Sequence, residues 1–224
     1  MTGSQSDRAE FLLTLSDALR ALSDPDEIVR EAAHVLGERL GASRVLYVEV
    51  HGPSAVVATD WVAGVASLEG RAPPLAYAAN LLAALRRGET LIVNDLENDP
   101  RLDAEESAGF RTVDTSALIV TALMRDGQAV AALSAHSATP RVWTDLEVDL
   151  LRETASRAWS AAQQATAERR ASELEAALRE SDQRLRTAQA LAGVGVWDWD
   201  VAGDQMHVSP EMDQIYGVWP QASR

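Results

Sequence analysis

The sequence predicts an α+β fold, in which one antiparallel sheet lies between helices and is followed by a long exit helix. Near the amino terminus, apolar residues recur at three- and four-residue spacing in two successive segments. Short runs rich in Val, Leu and Ile follow, separated by Gly and Pro turns. From Thr144 to Ala192, neither Pro nor Gly interrupts a helical pattern. We therefore expect the terminal helices on one face of the sheet, and the middle helix with its loops on the other.

The first two helices have recognisable ends. After a short disordered start over residues 1–7, an apolar stripe predicts a helix to about residue 22. Asp24 suits the N-cap of the second helix, with Pro25 at its first position. Gly41 suits the end of that helix, where a left-handed residue is common. The chain is therefore expected to open with a helical pair.

The middle of the chain is expected to supply the sheet. Asp126-Gly127 lies between two apolar runs, which is among the better signals for a hairpin. Because these runs are apolar nearly throughout, both faces of the sheet are expected to be covered. The predicted elements are strands at 44–51, 55–62, 90–93, 116–124 and 128–136, a helix at 75–87, and one or two helical turns at 104–110.

The long helix divides into two parts. Its first part has a broad apolar stripe and should pack on the globular core, whereas its second part has one narrow seam flanked by Arg and Glu. The seam residues are Ala167, Ala171, Leu174, Leu178, Ser181, Leu185, Ala188 and Ala192. A single seam gains little unless a second copy covers it, so the pattern predicts a parallel homodimer about a coiled-coil linker at 163–192. The alternative is a solvated linker helix with incidental leucines.

The composition restricts the possible partners and sites. The net charge of -14 argues against a nucleic-acid backbone or an anionic membrane as the main partner. The absence of cysteine excludes disulfides, thiolate nucleophiles, Cys-ligated zinc and thioether-linked chromophores. No apolar run approaches the roughly 18 residues that span a bilayer, so we expect a cytoplasmic location. No pair of the four His residues has the spacing of a helical metal site, and we expect no bound metal.

Residues 8–162 resemble a GAF domain, the sensory module of phytochromes, phosphodiesterases and bacterial signalling kinases. The resemblance rests on three segments. They are LIVND at 91–95 with DPR at 99–101, SALIVTALMRDG at 116–127, and the last strand and helix entry at 129–151. The sequence departs from the usual pattern at Ala122, where many members have Pro, and at Ala131, where Gly is common. The resemblance implies a cavity, covered by a helix and loops, on the sheet face opposite the terminal helices.

Residues 193–224 resemble the start of a PAS domain. The similar segments are GVWDWD at 195–200, SPE at 209–211 and IYGV at 215–218. A PAS fold needs far more chain than this, so we expect the sequence to be the amino-terminal piece of a longer protein. The order of domains resembles that of bacterial two-component sensor histidine kinases, most closely the HWE type, with a diguanylate cyclase as the alternative output. The chain contains no phosphoacceptor His motif, ATP site or cyclase motif, so it is expected to have no enzyme activity itself.

The cavity implied by the GAF resemblance is the one plausible ligand site. In the first strand, Leu46, Val48 and Val50 are expected to face the helical core, which turns Tyr47 and Glu49 towards the cavity. The candidate ligand-binding residues are Tyr47, Trp61, Tyr77, Asn94, Arg111, Thr121, Ser134 and His136. The alternative is that these side chains fill core space and that the domain is a dimerisation scaffold without a ligand.

The resemblance narrows the ligand without identifying it. The NKFDE-like signature of cyclic-nucleotide-binding members is not found in this sequence. Bilin-binding members usually attach their chromophore to Cys, and the methionine sulfoxide reductases of this fold also need Cys, which this chain lacks. We therefore expect no covalently bound bilin and no reductase activity, and the identity of any cofactor stays open.

Overall fold

A computed structural model describes residues 2–52, 54–74, 78–209 and 212. The chain divides into two compact units, residues 1–166 and 167–224. The helices and strands of the first unit are α1 (Thr2–Arg20), α2 (Pro25–Leu40), β1 (Arg44–His51), β2 (Ser54–Val62), α3 (Ala79–Arg86), β3 (Leu91–Val93), α4 (Ala104–Arg111), β4 (Ala117–Arg125) and β5 (Gln128–Ser137). Helix α5 (Asp145–Ala192) begins in the first unit and ends in the second.

The first unit is built on a five-stranded sheet with the order β2-β1-β5-β4-β3. Every neighbouring pair is antiparallel, so the α+β fold class with an antiparallel sheet is confirmed. The pairing of β4 with β5 closes at Asp126 and Gly127, which both have positive φ angles of 51° and 75°. This is the backbone shape that favours Asp-Gly in a two-residue hairpin.

Two apolar cores lie on opposite faces of the sheet. The first joins α1, α2 and the start of α5 to one face, and includes Leu15, Leu36 and Leu151, none of which is exposed. The second joins α3, α4 and the adjoining loops to the other face, and includes Leu81 and Phe110. The predicted layering, with terminal helices on one face and the middle helix with loops on the other, is confirmed.

The helix ends follow the local sequence. The Asp24 side chain accepts hydrogen bonds from the backbone N–H groups of Asp26 and Glu27, and Gly41 ends α2 in a left-handed conformation. At the start of α5, the Thr144 N–H donates to a Glu147 carboxylate oxygen at 2.8 Å, and the Glu147 N–H donates to Thr144 Oγ1 at 3.3 Å. This reciprocal capping box fixes where the exit helix begins.

Three expectations need correction. Residues 2–7 belong to α1 instead of forming a disordered start, because several Ser, Thr and Asp residues near this end can each cap a helix and the local pattern does not choose among them. Helix α3 spans Ala79–Arg86, and residues 75–77 of the predicted helix lie outside the described residues. The orientation expected for β1 is reversed: Val45 and Tyr47 pack against the terminal helices, whereas Leu46 and Val48 face the second core.

The second unit contains the end of α5 and one hairpin. Leu174, Leu178 and Leu185 are 72%, 70% and 60% exposed on α5. Strands β6 (Trp197–Asp200) and β7 (Gln205–Val208) form an antiparallel pair. The SPE and IYGV segments of the PAS resemblance fall mostly outside the described residues. Within the described ranges of both units, none of the helices has the length and apolar character needed to cross a membrane.

Candidate functional site: a cavity between the sheet and helix α3

A cavity of about 230 Å³ lies between the sheet and α3. Its floor is formed by the second-core face of β1, β4 and β5, and its roof by α3 and the Pro73-Pro74 segment. The lining residues are Leu46, Val48, Val50, Ser54, Ala55, Pro73, Pro74, Leu82, Leu85, Arg86, Val120, Ala122, Ala129, Ala131, Ala132, Ser134 and His136. The cavity therefore occupies the face that the GAF resemblance implies, although it is lined by the opposite set of β1 residues.

The cavity exists because small side chains form much of its floor. In the sheet register, Ala132 of β5 lies between Val48 of β1 and Ala122 of β4. Ala129 and Ala131 line the same space. A methyl group leaves room that a larger side chain would fill, and interiors of ordinary packing contain few voids larger than a water molecule. The alanines at 122 and 131, noted above as departures from the family pattern, are thus part of the cavity wall.

One end of the cavity is closed by buried polar side chains. His136 is 2% exposed, and its Nε2 lies 2.8 Å from Ser134 Oγ while its Nδ1 lies 3.2 Å from Thr115 Oγ1. Ser134 Oγ in turn donates to the Ile119 carbonyl oxygen at 3.2 Å. With that proton on Ile119, His136 Nε2–H donates to Ser134, and Nδ1 shares the Thr115 hydroxyl proton with the Val113 carbonyl oxygen, which lies 3.3 Å from Thr115 Oγ1. Both ring nitrogens thus have partners within the protein.

Burial keeps this histidine neutral. Burial, and after it the positive charge of Arg44, lower the pKa of His136 to about 3. The direction is physically sound, because a buried imidazolium loses its hydration and meets a like charge. At neutral pH, His136 therefore supplies hydrogen-bonding groups without a charge.

Arg44 is a buried residue beside the site that the sequence pattern does not reveal. It is the cross-strand partner of His136 and is 0% exposed. Its guanidinium donates to the carbonyl oxygens of Val113 at 2.9 Å and Ala66 at 2.7 Å. Burial lowers the pKa of Arg44, and Asp60 and Asp114 oppose that shift. Arg44 thus connects two loops to the closed end of the cavity. A charged residue at the start of a strand would ordinarily be expected on the surface.

The other end of the cavity is open. Arg86, the last residue of α3, is exposed there, as is Ser54 at the start of β2. Among the described residues, no carboxylate forms an ion pair with Arg86. The adjacent Arg87 points elsewhere, with its Nε 2.7 Å from Glu89 Oε1. The cavity is thus apolar along its length, with neutral polar groups at its closed end and one arginine at its mouth.

Of the eight candidate residues, Ser134 and His136 line the cavity. Tyr47, Trp61 and Thr121 lie on the opposite sheet face, so the prediction that they face the cavity is wrong. Burial and the charge of Glu49 raise the pKa of Tyr47 to about 12 in the first core. The cause of the error is physical. Because β1 is apolar on both faces, its sequence shows which residues share a face but not which face meets the terminal helices and which meets α3.

The remaining candidates have other positions. Asn94 is exposed and accepts a hydrogen bond from the Trp143 N–H at 3.1 Å, which connects the end of β3 to the entry of α5. Arg111 is exposed and forms an ion pair with Glu97 at 2.8 Å. Tyr77 lies outside the described residues. Neither Asn94 nor Arg111 lines the cavity.

Comparison with known proteins agrees with this architecture. No curated protein matches the chain. Among solved structures, the far-red absorbing dark state of JSC1_58120g3 with bound biliverdin IXa is 20% identical, with a TM-score of 0.61, covering 70% of this chain and 99% of that one. The blue-light absorbing form of the Thermosynechococcus elongatus PixJ GAF-domain is 21% identical, with a TM-score of 0.56, covering 67% and 92%.

A third similar structure is an enzyme. The free methionine-R-sulfoxide reductase from Neisseria meningitidis, in complex with its substrate, is 21% identical, with a TM-score of 0.55, covering 70% of this chain and 91% of that one. At such identities, these likenesses establish the fold alone. The sequence pattern of the GAF domain matches residues 24–162, which is more than half of the chain. The chain therefore belongs to the GAF domain family.

Proposed function

We propose that this GAF domain is the sensory module of a bacterial signal-transduction protein and binds a small molecule non-covalently in the cavity beneath α3. The observation that carries the proposal is the hollow itself: about 230 Å³ remains between the sheet and α3, although the rest of that core is packed with Leu, Val and Phe. A hollow floored by alanines and closed by a hydrogen-bonded polar cluster is typical of a ligand site.

The size and chemistry of the cavity limit the ligand. Drug-sized ligands occupy pockets of roughly 300–1,000 Å³, so a cavity of about 230 Å³ suits a smaller molecule. One similar structure holds biliverdin IXa and another holds the substrate of a reductase, which shows that proteins of this fold bind ligands. The absence of cysteine removes the usual covalent attachment point for a bilin. The proposed ligand is therefore held by packing and hydrogen bonds.

The proposed signal passes along β5 into the exit helix. Ser134 and His136 at the cavity lie on the strand that leads to α5, and Arg141 in the connection contacts both Glu147 of α5 and the Leu40 carbonyl oxygen of α2. A ligand that shifts β5 would change packing at this junction. In the proposed homodimer, the apolar seam of the linker at 163–192 would convert that change into a small rotation or register shift of the two helices.

The proposed context is a longer cytoplasmic protein in which a PAS domain begins at residue 193 and a histidine kinase of the HWE type follows. The amphipathic β6–β7 hairpin supports this, because a two-stranded hairpin is marginal by itself and its apolar side chains, such as Trp197 and Trp199, are exposed. A diguanylate cyclase is the alternative output. We propose no catalytic role for the chain itself.

Native mass spectrometry of the purified chain tests the ligand-sensor function. The expected result is a co-purified small molecule on the wild-type protein that is lost in Ala132→Leu, whose larger side chain would occupy the hollow. Circular dichroism shows whether the variant is folded, and Ala122→Leu offers a second cavity-filling change. A protein that carries no molecule and becomes more stable when the cavity is filled would favour the second candidate function, a dimerisation scaffold without a ligand.

A further inference from the structure

The polar side chains inside the cavity already have hydrogen-bond partners, so they do not favour a charged or strongly polar ligand group. Ser134 and His136 are already hydrogen-bonded to each other and to neighbouring protein groups. Among the described residues, the buried side-chain atoms without a partner belong to Arg44, Thr59 and Trp143, and none of these residues lines the cavity. An apolar ligand body therefore fits the interior, because a buried polar group without a partner costs about 1–3 kcal/mol.

The mouth of the cavity has the opposite character. Arg86 is exposed at the carboxyl end of α3, and the described part of the chain offers it no carboxylate partner. Arg87 lies at the same end of the helix and is paired with Glu89. Its positive charge can interact favourably with the helix dipole from outside the cavity. Leu75 to Tyr77, which precede α3 and lie outside the described residues, include no acidic side chain. A cationic group that forms no ion pair with the described residues thus borders an apolar hollow.

We propose that the cavity takes a small monocarboxylate, with its apolar body against the alanine floor and its carboxylate on Arg86. This inference rests on the proposed function and adds the chemical class of the ligand. A guanidinium binds a carboxylate through two parallel hydrogen bonds, which an alcohol or an amine cannot reproduce. Placing the carboxylate at the mouth also leaves it hydrated, whereas the closed end would strip its water.

The cavity volume sets the length of the apolar body. At roughly 30 Å³ per water-sized group, about eight non-hydrogen atoms fit in the space of about 230 Å³. A straight acyl chain of that length, or a benzenoid acid, meets this limit. The net charge of -14 opposes anion binding at long range, but this repulsion is screened beyond about 10 Å at 0.1 M salt. The local contact with Arg86 is then the deciding electrostatic term.

Isothermal titration calorimetry with octanoate and 1-octanol tests the assignment. The two probes have the same chain length and differ in the charged head. Wild-type protein is expected to bind octanoate more tightly than 1-octanol. At about 0.1 M salt, Arg86→Gln is expected to weaken octanoate binding about three- to tenfold and to leave 1-octanol binding unchanged. Arg87→Gln is the matched control, since it removes the same charge one residue outside the cavity and should leave both affinities unchanged.

The outcomes separate this inference from the proposed function. Equal affinities for the two probes, an unchanged octanoate affinity in Arg86→Gln, or no octanoate binding at all would overturn the carboxylate assignment. In each of those cases the proposed function still stands if native mass spectrometry finds a molecule that Ala132→Leu loses. Added salt gives a second check, because it should weaken octanoate binding to the wild type and have no such effect on Arg86→Gln.

Discussion

Arg44 and His136 face each other across β1 and β5, and both side chains are buried at the closed end of the cavity. Arg44 keeps its charge by donating to the carbonyl oxygens of Val113 and Ala66. His136 stays neutral, because burial and the charge of Arg44 hold its pKa at about 3. His136 can therefore gain a proton only by destabilising the folded state.

The free energy of unfolding is expected to fall as the pH is lowered below 6.5. His136 has a pKa of about 3 in the folded chain and of roughly 6.5 in the unfolded chain. Between these values the unfolded state binds a proton that the folded state excludes. The stabilisation is complete above the unfolded pKa and is lost by up to about 1.4 kcal/mol per pH unit as the pH falls.

Urea unfolding at pH 7.5 and pH 5.0 checks this prediction, and the expected loss between them is about 2 kcal/mol. His136→Gln should lose clearly less between the two pH values, even if it is less stable at both. His51→Gln is the comparison, because it makes the same substitution at an exposed histidine of β1 that does not line the cavity. Identical pH profiles for His136→Gln and wild type would show that His136 does not control the effect.

Gly37→Ala is expected to destabilise the first unit by about 1–3 kcal/mol, through overpacking. Gly37 lies inside α2, and a Cβ atom placed there would be 2.1 Å from the Trp61 ring. The Trp61 ring is held in the first core and lies edge-on to His34, with ring centroids 6.2 Å apart. The glycine therefore permits the close approach of the β2 tryptophan to α2.

Gly109→Ala is the matched control, measured by urea unfolding beside Gly37→Ala. Gly109 is also inside a helix, but no atom lies within 4 Å of the position its Cβ would take. Helix propensity alone should then stabilise the protein by roughly 0.5–1 kcal/mol. Similar effects for the two substitutions would show that Trp61 is not packed against α2 as described.

The sequence predicted those features of the fold that depend on neighbouring residues. Asp24, Pro25 and Gly41 bound α2 because their local backbone and side-chain chemistry suffices for caps. Asp126-Gly127 marks the β4–β5 turn for the same reason. The layering could also be predicted, since apolar runs without alternation imply two covered faces.

The candidate site was predicted less well, because it depends on contacts between distant segments. Tyr47 and Leu46 are both buried, one on each face of β1, and no local rule states which face meets α3. The local sequence predicts a surface position for Arg44, because the loops that bury it, at Ala66 and Val113, are distant in the chain. His136 and Ser134 were identified because the family resemblance implied a cavity beside the sheet that contains the last strand.

The Arg141–Glu147 ion pair is expected to contribute more than a surface ion pair. It connects the β5–α5 segment to the first turn of α5, and its side chains are only 24% and 18% exposed. Arg141 also donates to the Leu40 carbonyl oxygen at 2.8 Å. In a double-mutant cycle with Arg141→Gln and Glu147→Gln, we expect a coupling free energy of about 1–3 kcal/mol.

The same cycle on Arg111 and Glu97 is the control for exposure. These side chains are 56% and 66% exposed, and the two charged atoms lie 2.8 Å apart. Their coupling should be about 0.5 kcal/mol or less. Urea unfolding of the four variants in each cycle gives both values. If the Arg141 coupling were no larger than that of Arg111, this junction would have no special stability with which to relay a change from the cavity.

The proposed relay also requires that two copies of the exit helix associate. Leu174, Leu178 and Leu185 follow the predicted seam and remain exposed in the single chain. Because isolated exposed leucines gain little from the helix that holds them, their burial against a second copy would supply most of the stabilisation of a dimer. Replacing both Leu174 and Leu178 by Ser is therefore expected to convert a dimer into a monomer at about 20 μM, as measured by light scattering.

Leu191→Ser is the matched control for that variant. Leu191 is on the same helix and is 85% exposed, but it lies outside the predicted seam. This substitution should leave the mass unchanged, which would assign association to the seam instead of to leucine exposure in general. A wild-type chain that is monomeric at the same concentration would contradict the dimer directly. A dimer that survives the loss of Leu174 and Leu178 would place the contact on another surface, and the coiled-coil relay would fail with it.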